Sequence, residues 1–254
     1  MAPTVIFGDI RGLDYKELEP VLHKYGITRL DSAAVYQAGV SETTLGEEHA
    51  GERFTIDTKI LTGRPRDGTL TPEKIEESSK KSLERLGMSK VNVLYTHAPD
   101  AATPVKQQAR GFDDVHKKGR FSEEWLDVAK AEGYIKPTWF QGQYNLALRT
   151  YEEALFPLLR KEGYDRPAMY EYYDNILDLS EKANLSTGEV SLRWIVHHSA
   201  LQDDDILILG ASRISQLEQS LDSIKKGPLD EKLAEDLNAL WTPALQKATL
   251  DIID

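Results

Sequence analysis

Short apolar runs alternate along this chain with longer amphipathic stretches, and that alternation restricts the fold more than any other feature. Thr4–Phe7 reads as a strand and stops at Gly8. Tyr15–Tyr25 carries Leu18, Val21 and Leu22 at helical spacing and ends at Gly26. Thr28–Leu30 is a second strand, ending at Asp31, and Phe54–Ile60 a third, with two alternating sets of side chains. Thr71-Pro72-Glu73 opens a helix with a capping Thr and Pro at the first helical position; it runs to Leu86 and stops at Gly87. Val91–Thr96, Thr138–Gln141 and Ile206–Leu209 are the remaining strands, each followed by a helical pattern. Strands alternating with such helices build βαβ units and a parallel sheet.

The 254 residues contain no fixed-period repeat and no linker, so the expectation is a single domain over residues 1–254. Six strands would suit an open doubly wound sheet. The first turn, Gly8-Asp9-Ile10-Arg11-Gly12-Leu13, lacks the G-x-G-x-x-G spacing that such a sheet uses for a dinucleotide. A barrel of eight βα units, with two missing or unrecognised, is the alternative. Acidic residues outnumber basic ones by 42 to 31, a net charge of −11. That surface argues against broad binding to nucleic acid or anionic membrane. With no cysteine, disulfides, zinc–cysteine sites and a cysteine nucleophile are excluded. No histidine spacing suggests a metal. No apolar run reaches membrane-spanning length and no leader pattern opens the sequence, so a cytoplasmic location is expected.

In a βα barrel, chemistry lies at the carboxyl ends of the strands. Strand two delivers Asp31, followed by Tyr36; strand three ends in Asp57-Thr58-Lys59; strand four ends in Tyr95-Thr96-His97. Each alone has an ordinary reading: a capping aspartate, a solvated lysine, a structural histidine. Together an acid, a phenol, an ammonium and an imidazole could serve proton delivery to an oxygen. A phenol with a pKa near 10 is a poor acid at neutrality, and a nearby lysine cation favours its ionised form. Asp31 would hold the ammonium, and His97 would bond the substrate oxygen or assist the transfer. No side chain donates a hydride, so a nicotinamide cofactor is the natural supplier.

Leu30-Asp31-Ser32-Ala33-Ala34-Val35-Tyr36, then Gly39-Val40-Ser41-Glu42 and Leu45-Gly46, resembles the aldo-keto reductase signature D-S/T-A-x-x-Y-x-x-G-x-S-E-x-x-L-G. Thr58-Lys59 is similar to that family's lysine strand. His97-Ala98-Pro99-Asp100 and Gln141-Gly142-Gln143-Tyr144-Asn145 resemble its aflatoxin-aldehyde-reductase branch. Ile208-Leu209-Gly210-Ala211-Ser212 and Gln216-Leu217-Glu218-Gln219 resemble the last strand and helix that hold the adenosine phosphate. The resemblance implies a (β/α)8 TIM barrel and NADPH-dependent reduction of small aldehydes or ketones. It implies Asp31, Tyr36, Lys59 and His97 as the catalytic four, with Tyr36 as general acid. It also implies Gln141 at the nicotinamide amide, and Gly210, Ser212, Arg213, Gln216 and Gln219 around the adenosine phosphate. Arg213 suits a phosphate because its guanidinium donates as a fork; its other reading is a solvated arginine at a helix start. The branch and the helix Asp230–Leu240 are compatible with a homodimer.

The chain departs from the family pattern on the cofactor side. The loop between Gly8 and Asp31 is short. After Phe121 the family has a fifth strand, whereas Ser122-Glu123-Glu124-Trp125 reads as helix. After Gly163 the family has a seventh strand and a long glycine-rich loop, whereas Tyr164-Asp165-Arg166-Pro167 follows at once. The barrel therefore lacks, or does not show, strands five and seven. Either segments are omitted from the sequence, or the deletions are real. In the second case the alternative function is an aldo-keto-reductase-like barrel with impaired cofactor binding, acting as a regulatory or binding protein or as a redox-independent enzyme.

Overall fold

The architecture is that of a computed structural model, which describes residues 3–8, 10, 12–60, 68–98, 100–121, 167–199, 201 and 205–241. The chain divides into two compact units, neither continuous in sequence. One takes Val5–Gly142 and Ile206–Leu217; the other takes Met1–Thr4, Gln143–Asp205 and Glu218–Asp254.

The larger unit is α/β. Its described strands are β1 (Thr4–Gly8), β2 (Arg29–Asp31), β3 (Thr55–Ile60), β4 (Leu94–Thr96) and β5 (Ile206–Leu209). They lie in the order β4-β3-β2-β1-β5. The ladders β1–β2, β2–β3 and β3–β4 are parallel, with Asp31 opposite Gly8 on one side and Asp57 on the other. Thr4 N–H donates to Asp205 O, and Gly8 lies against Ile208, so β5 runs the same way as β1. This order is monotonic, with a late strand on the far side of β1. A doubly wound sheet would reverse there and place its fourth strand beside the first. The order is that of a βα barrel, in which the final strand returns to the first.

The helices form where their ends are capped and one face is apolar. In α1 (Tyr15–Lys24) the Asp14 carboxylate accepts from Lys16 N–H, and Tyr15, Leu18 and Leu22 are buried. In α3 (Pro72–Leu86) Thr71 caps the start and Gly87, at φ 64°, closes the end. The helices α2 (Val40–Glu47) and α4 (Val105–Lys117) also lie in this unit, α3 packing on both. Ile6, Phe7, Leu30, Ile56, Ile60 and Phe112 are almost fully buried. Strand β3 is buried on both faces from Ile56 to Ile60, so its polar residues are enclosed rather than solvated.

The second unit contains α5 (Pro167–Lys182), α6 (Thr187–His197) and α8 (Glu231–Ala239). Ile176, Val190, Leu229, Leu233 and Leu237 form its core. The Leu229 amide donates to His198 Nε2 at 2.8 Å while His197 Nε2 meets Ile224 O, so these adjacent imidazoles serve different partners. Helix α7 (Ile214–Lys225) begins after β5.

The strands read from sequence as Thr4–Phe7, Thr28–Leu30, Phe54–Ile60 and Ile206–Leu209 are present with ends moved by one residue at most. Val91–Thr96 contracts to Leu94–Thr96; ahead of it the Asn92 amide donates to Ile56 O and the Val91 amide to Arg120 O. The expected strand Thr138–Gln141 and the two expected interruptions after Phe121 and Gly163 lie outside the described residues.

Candidate active site

The carboxyl ends of β2, β3 and β4 bring four polar side chains together. Asp31 ends β2 and Lys59 is the penultimate residue of β3; each is only 4% exposed. The Lys59 ammonium forms an ion pair with Asp31 Oδ2, donates to Ser32 O at 2.8 Å and meets the Tyr36 hydroxyl at 3.4 Å. An ammonium has three donors and no acceptor, and all three are used here. In the third contact the Tyr36 oxygen must therefore accept. Its own hydrogen is not spent on Lys59 and can be offered to another oxygen. The Tyr36 ring meets the His97 imidazole edge to face, with centres 5.6 Å apart and planes at 89°. Both residues are half-buried. His97 follows Thr96, the last residue of β4.

Beneath this group lies a second ion pair of reversed direction. Alternate residues of a strand share a face, so Arg29 and Asp31 lie on one side of β2, and Asp57 and Lys59 on one side of β3. Asp57 is fully buried. It accepts from Arg29 Nε at 2.6 Å, Asn92 Nδ2 at 2.9 Å and the Val93 amide at 3.1 Å. Burial pushes its carboxyl above the usual range, and Asp31 adds to that push, while Arg29 and Asn92 oppose it. The two pairs thus put acid beside base both along and across the strands. Sequence reasoning missed Arg29 and passed over Asp57. The legible signal was the complementary order Arg-x-Asp and Asp-x-Lys on neighbouring buried strands.

The backbone that carries Tyr36 is strained. After Tyr36 the chain turns through Gln37 (φ 49°, ψ 42°), Ala38 (φ 55°, ψ 35°) and Gly39 (φ 95°), three left-handed residues in succession. A residue with a Cβ pays roughly 1–2 kcal/mol for this conformation, so two in sequence need support from their surroundings. Thr43 Oγ1 donates to Gly39 O at 3.1 Å, and the hydroxyls of Ser32 and Ser41 lie 3.0 Å apart. Glu42, fully buried in the first turn of α2, accepts from Thr58 Oγ1 at 2.6 Å and from Arg85 of α3 at 2.7 and 2.5 Å.

A second cluster of expected residues sits at the end of β5. Gly210, Ser212, Arg213 and Gln216 are exposed around the start of α7. The Ser212 amide and hydroxyl both point to Gln216 Oε1, at 3.2 and 3.1 Å, so two donors converge on one acceptor position. Gln219 lies about one turn further along α7. Gln141 falls outside the described residues.

The family profile described as the aldo/keto reductase family matches residues 14–166 and 164–242. The two stretches meet at the place where the sequence lacks, or does not show, the family's seventh strand. Oxidoreductase sirO of Leptosphaeria maculans is 28% identical, covering 93% of this chain and 88% of its own length. Aflatoxin B1 aldehyde reductase member 2 of Homo sapiens is 31% identical, with 85% of this chain and 78% of that protein covered. The human aldo-keto reductase family 7 member A3 is also 31% identical, with 85% of each chain covered. The alignment with the first runs over 291 positions, more than the 254 residues present here, so that relative has segments without a counterpart in this chain. With a match from residue 14 to residue 242 and relatives at this level, the chain belongs to the aldo/keto reductase family.

Proposed function

We propose that this oxidoreductase reduces small aldehydes or ketones to alcohols, with NADPH as hydride source and Tyr36 as proton donor, in one barrel domain over residues 1–254. The observation that carries the reading is the three-way engagement of the Lys59 ammonium by Asp31, Ser32 and Tyr36. A bound nicotinamide supplies the hydride, which no side chain can provide. Tyr36 gives its proton to the oxygen of the carbonyl under reduction, and the Lys59 ammonium stabilises the phenolate left behind. Asp31 holds that ammonium in place. His97, in ring contact with Tyr36, orients the substrate oxygen.

The residues at the end of β5 suit the cofactor's phosphate. Ser212 offers two donors that already converge on one acceptor point, and the exposed Arg213 directly precedes the first residue of α7. Gly210, Gln216 and Gln219 complete the adenosine side in this reading, and Gln141 the nicotinamide side. The interleaving of the two compact units along the sequence supports one domain, because no single cut separates them.

Steady-state reduction of 4-nitrobenzaldehyde, with NADPH binding followed by nicotinamide fluorescence, tests the proposal. Tyr36→Phe should lose about 10²–10⁴-fold in rate with NADPH affinity nearly unchanged. Lys59→Met should also lose rate and move the Tyr36 limb of the pH–rate profile to higher pH. Retention of most of the wild-type rate by Tyr36→Phe overturns the assignment. Failure of the wild type to bind NADPH favours the redox-independent or regulatory barrel instead.

A further inference from the structure

We infer that Arg85 is a positioning residue for Tyr36, acting through Glu42 and Gly39 to hold the left-handed turn that sets the phenol opposite Lys59. The inference rests on the assignment of Tyr36 as proton donor. Three observations converge on it. The turn after Tyr36 has two left-handed residues that carry a Cβ, so it needs outside support. Arg85 gives that support by contact: its Cδ and Nε lie 3.0 Å from where a Cβ on Gly39 would sit, so the side chain lies directly against the end of the turn. Arg85 is also fixed from the other side, with Nε and Nη2 on the buried Glu42 carboxylate and Nη2 on Ser82 Oγ at 3.3 Å.

The same carboxylate ties the turn to the lysine strand. Thr58 Oγ1 donates to Glu42 at 2.6 Å, and Thr58 precedes Lys59. Neighbouring strand residues face opposite ways. Strand β3 therefore grips the Tyr36 turn twice, by Lys59 on one face and through Glu42 on the other. The Lys59–Tyr36 contact, at 3.4 Å, is at the long end of hydrogen-bond range, so a small drift of the turn breaks it. The charged and titratable groups assembled near Tyr36 are Lys59, Asp31, His97 and Tyr95, and Arg85 is joined to this assembly through Glu42 and Thr58.

The test compares Arg85→Lys with the pair Glu42→Gln/Arg85→Met in the full chain. Lysine keeps the charge but not the two-nitrogen grip or the contact on Gly39. The paired variant leaves no carboxylate buried alone, so it carries the test if Arg85→Lys fails to fold. In a folded variant kcat should fall by about 10²-fold, the cost of a displacement near 1 Å, with KM and NADPH affinity within about twofold of wild type. The Tyr36 limb of the kcat profile should move to higher pH, as in Lys59→Met. Nuclear magnetic resonance of isotope-labelled tyrosine, with the Tyr36 signal identified by Tyr36→Phe, should show the same displacement without cofactor. Wild-type kcat and an unmoved Tyr36 titration in a folded variant overturn the inference. If Tyr36→Phe itself keeps the rate, the assignment of Tyr36 fails instead, and the two failures are distinct.

Discussion

Lysine and arginine stand in different settings in this protein. Lys59 is a point charge whose three donors are divided among a carboxylate, a backbone carbonyl and a phenol, an arrangement that a planar fork could not satisfy. Arg213 is exposed and follows Ser212, and in the proposed reading its fork meets the cofactor phosphate. A charge-assisted bond to a phosphate contributes on the order of 1.5–3 kcal/mol. Arg213→Ala should therefore narrow the preference for NADPH over NADH by roughly tenfold or more, read as the ratio of kcat/KM values. Equal losses with both cofactors would assign Arg213 another part. Arg29 shows a third use: it neutralises a carboxylate that burial alone would disfavour, one residue layer below Lys59.

Between elements, the loops before α3 and after β4 are joined by Asp100. Its carboxylate accepts from Thr103 Oγ1 at 2.7 Å and from the amides of Leu70 and Ala102 at 3.0 Å. Burial opposes the charge, but these bonds and one from the Gly68 amide outweigh it and hold the carboxyl down at about 2. A carboxyl depressed on folding contributes stability that is complete above its unfolded value of about 3.9 and is lost as pH falls toward 2. Denaturant midpoints should therefore drop over that interval in the wild type, and Asp100→Asn should be less stable at neutral pH with a shallower acid decline. Parallel curves for the two proteins would contradict this. Helices and strands were legible in the sequence where chemistry is local: Thr71, Pro72 and Gly87 mark the ends of α3, and all three act there as expected. Asp31, Tyr36, Lys59 and His97 were legible as a group because strand ends project to one side of a sheet. The Glu42–Arg85 joint was not, since it depends on how α2 crosses α3. Gly46 marks that crossing, where a Cβ would lie 2.0 Å from Arg85 O. Spacing within a motif reports a glycine but not the backbone it must admit.

At the scale of the whole chain, relatives carry segments without a counterpart here, and under the proposed function the measurement that bears on them is cofactor binding. A ligand that binds only the folded state stabilises it by about 2.7 kcal/mol at 100 times its Kd. NADPH at that excess should raise the thermal midpoint, and NADH at equal concentration should raise it less. No shift with either would place the loss in cofactor binding. The sheet order has a further consequence for how the protein is made. Strand β1 pairs with β5, about two hundred residues later, so when the amino-terminal part of the chain leaves the ribosome its first strand has one edge without its final neighbour. Contacts of such long range close slowly, and an open strand edge invites association with other nascent chains. Recovery of folded protein from rapid overexpression should therefore depend on the pace of translation and on chaperone supply.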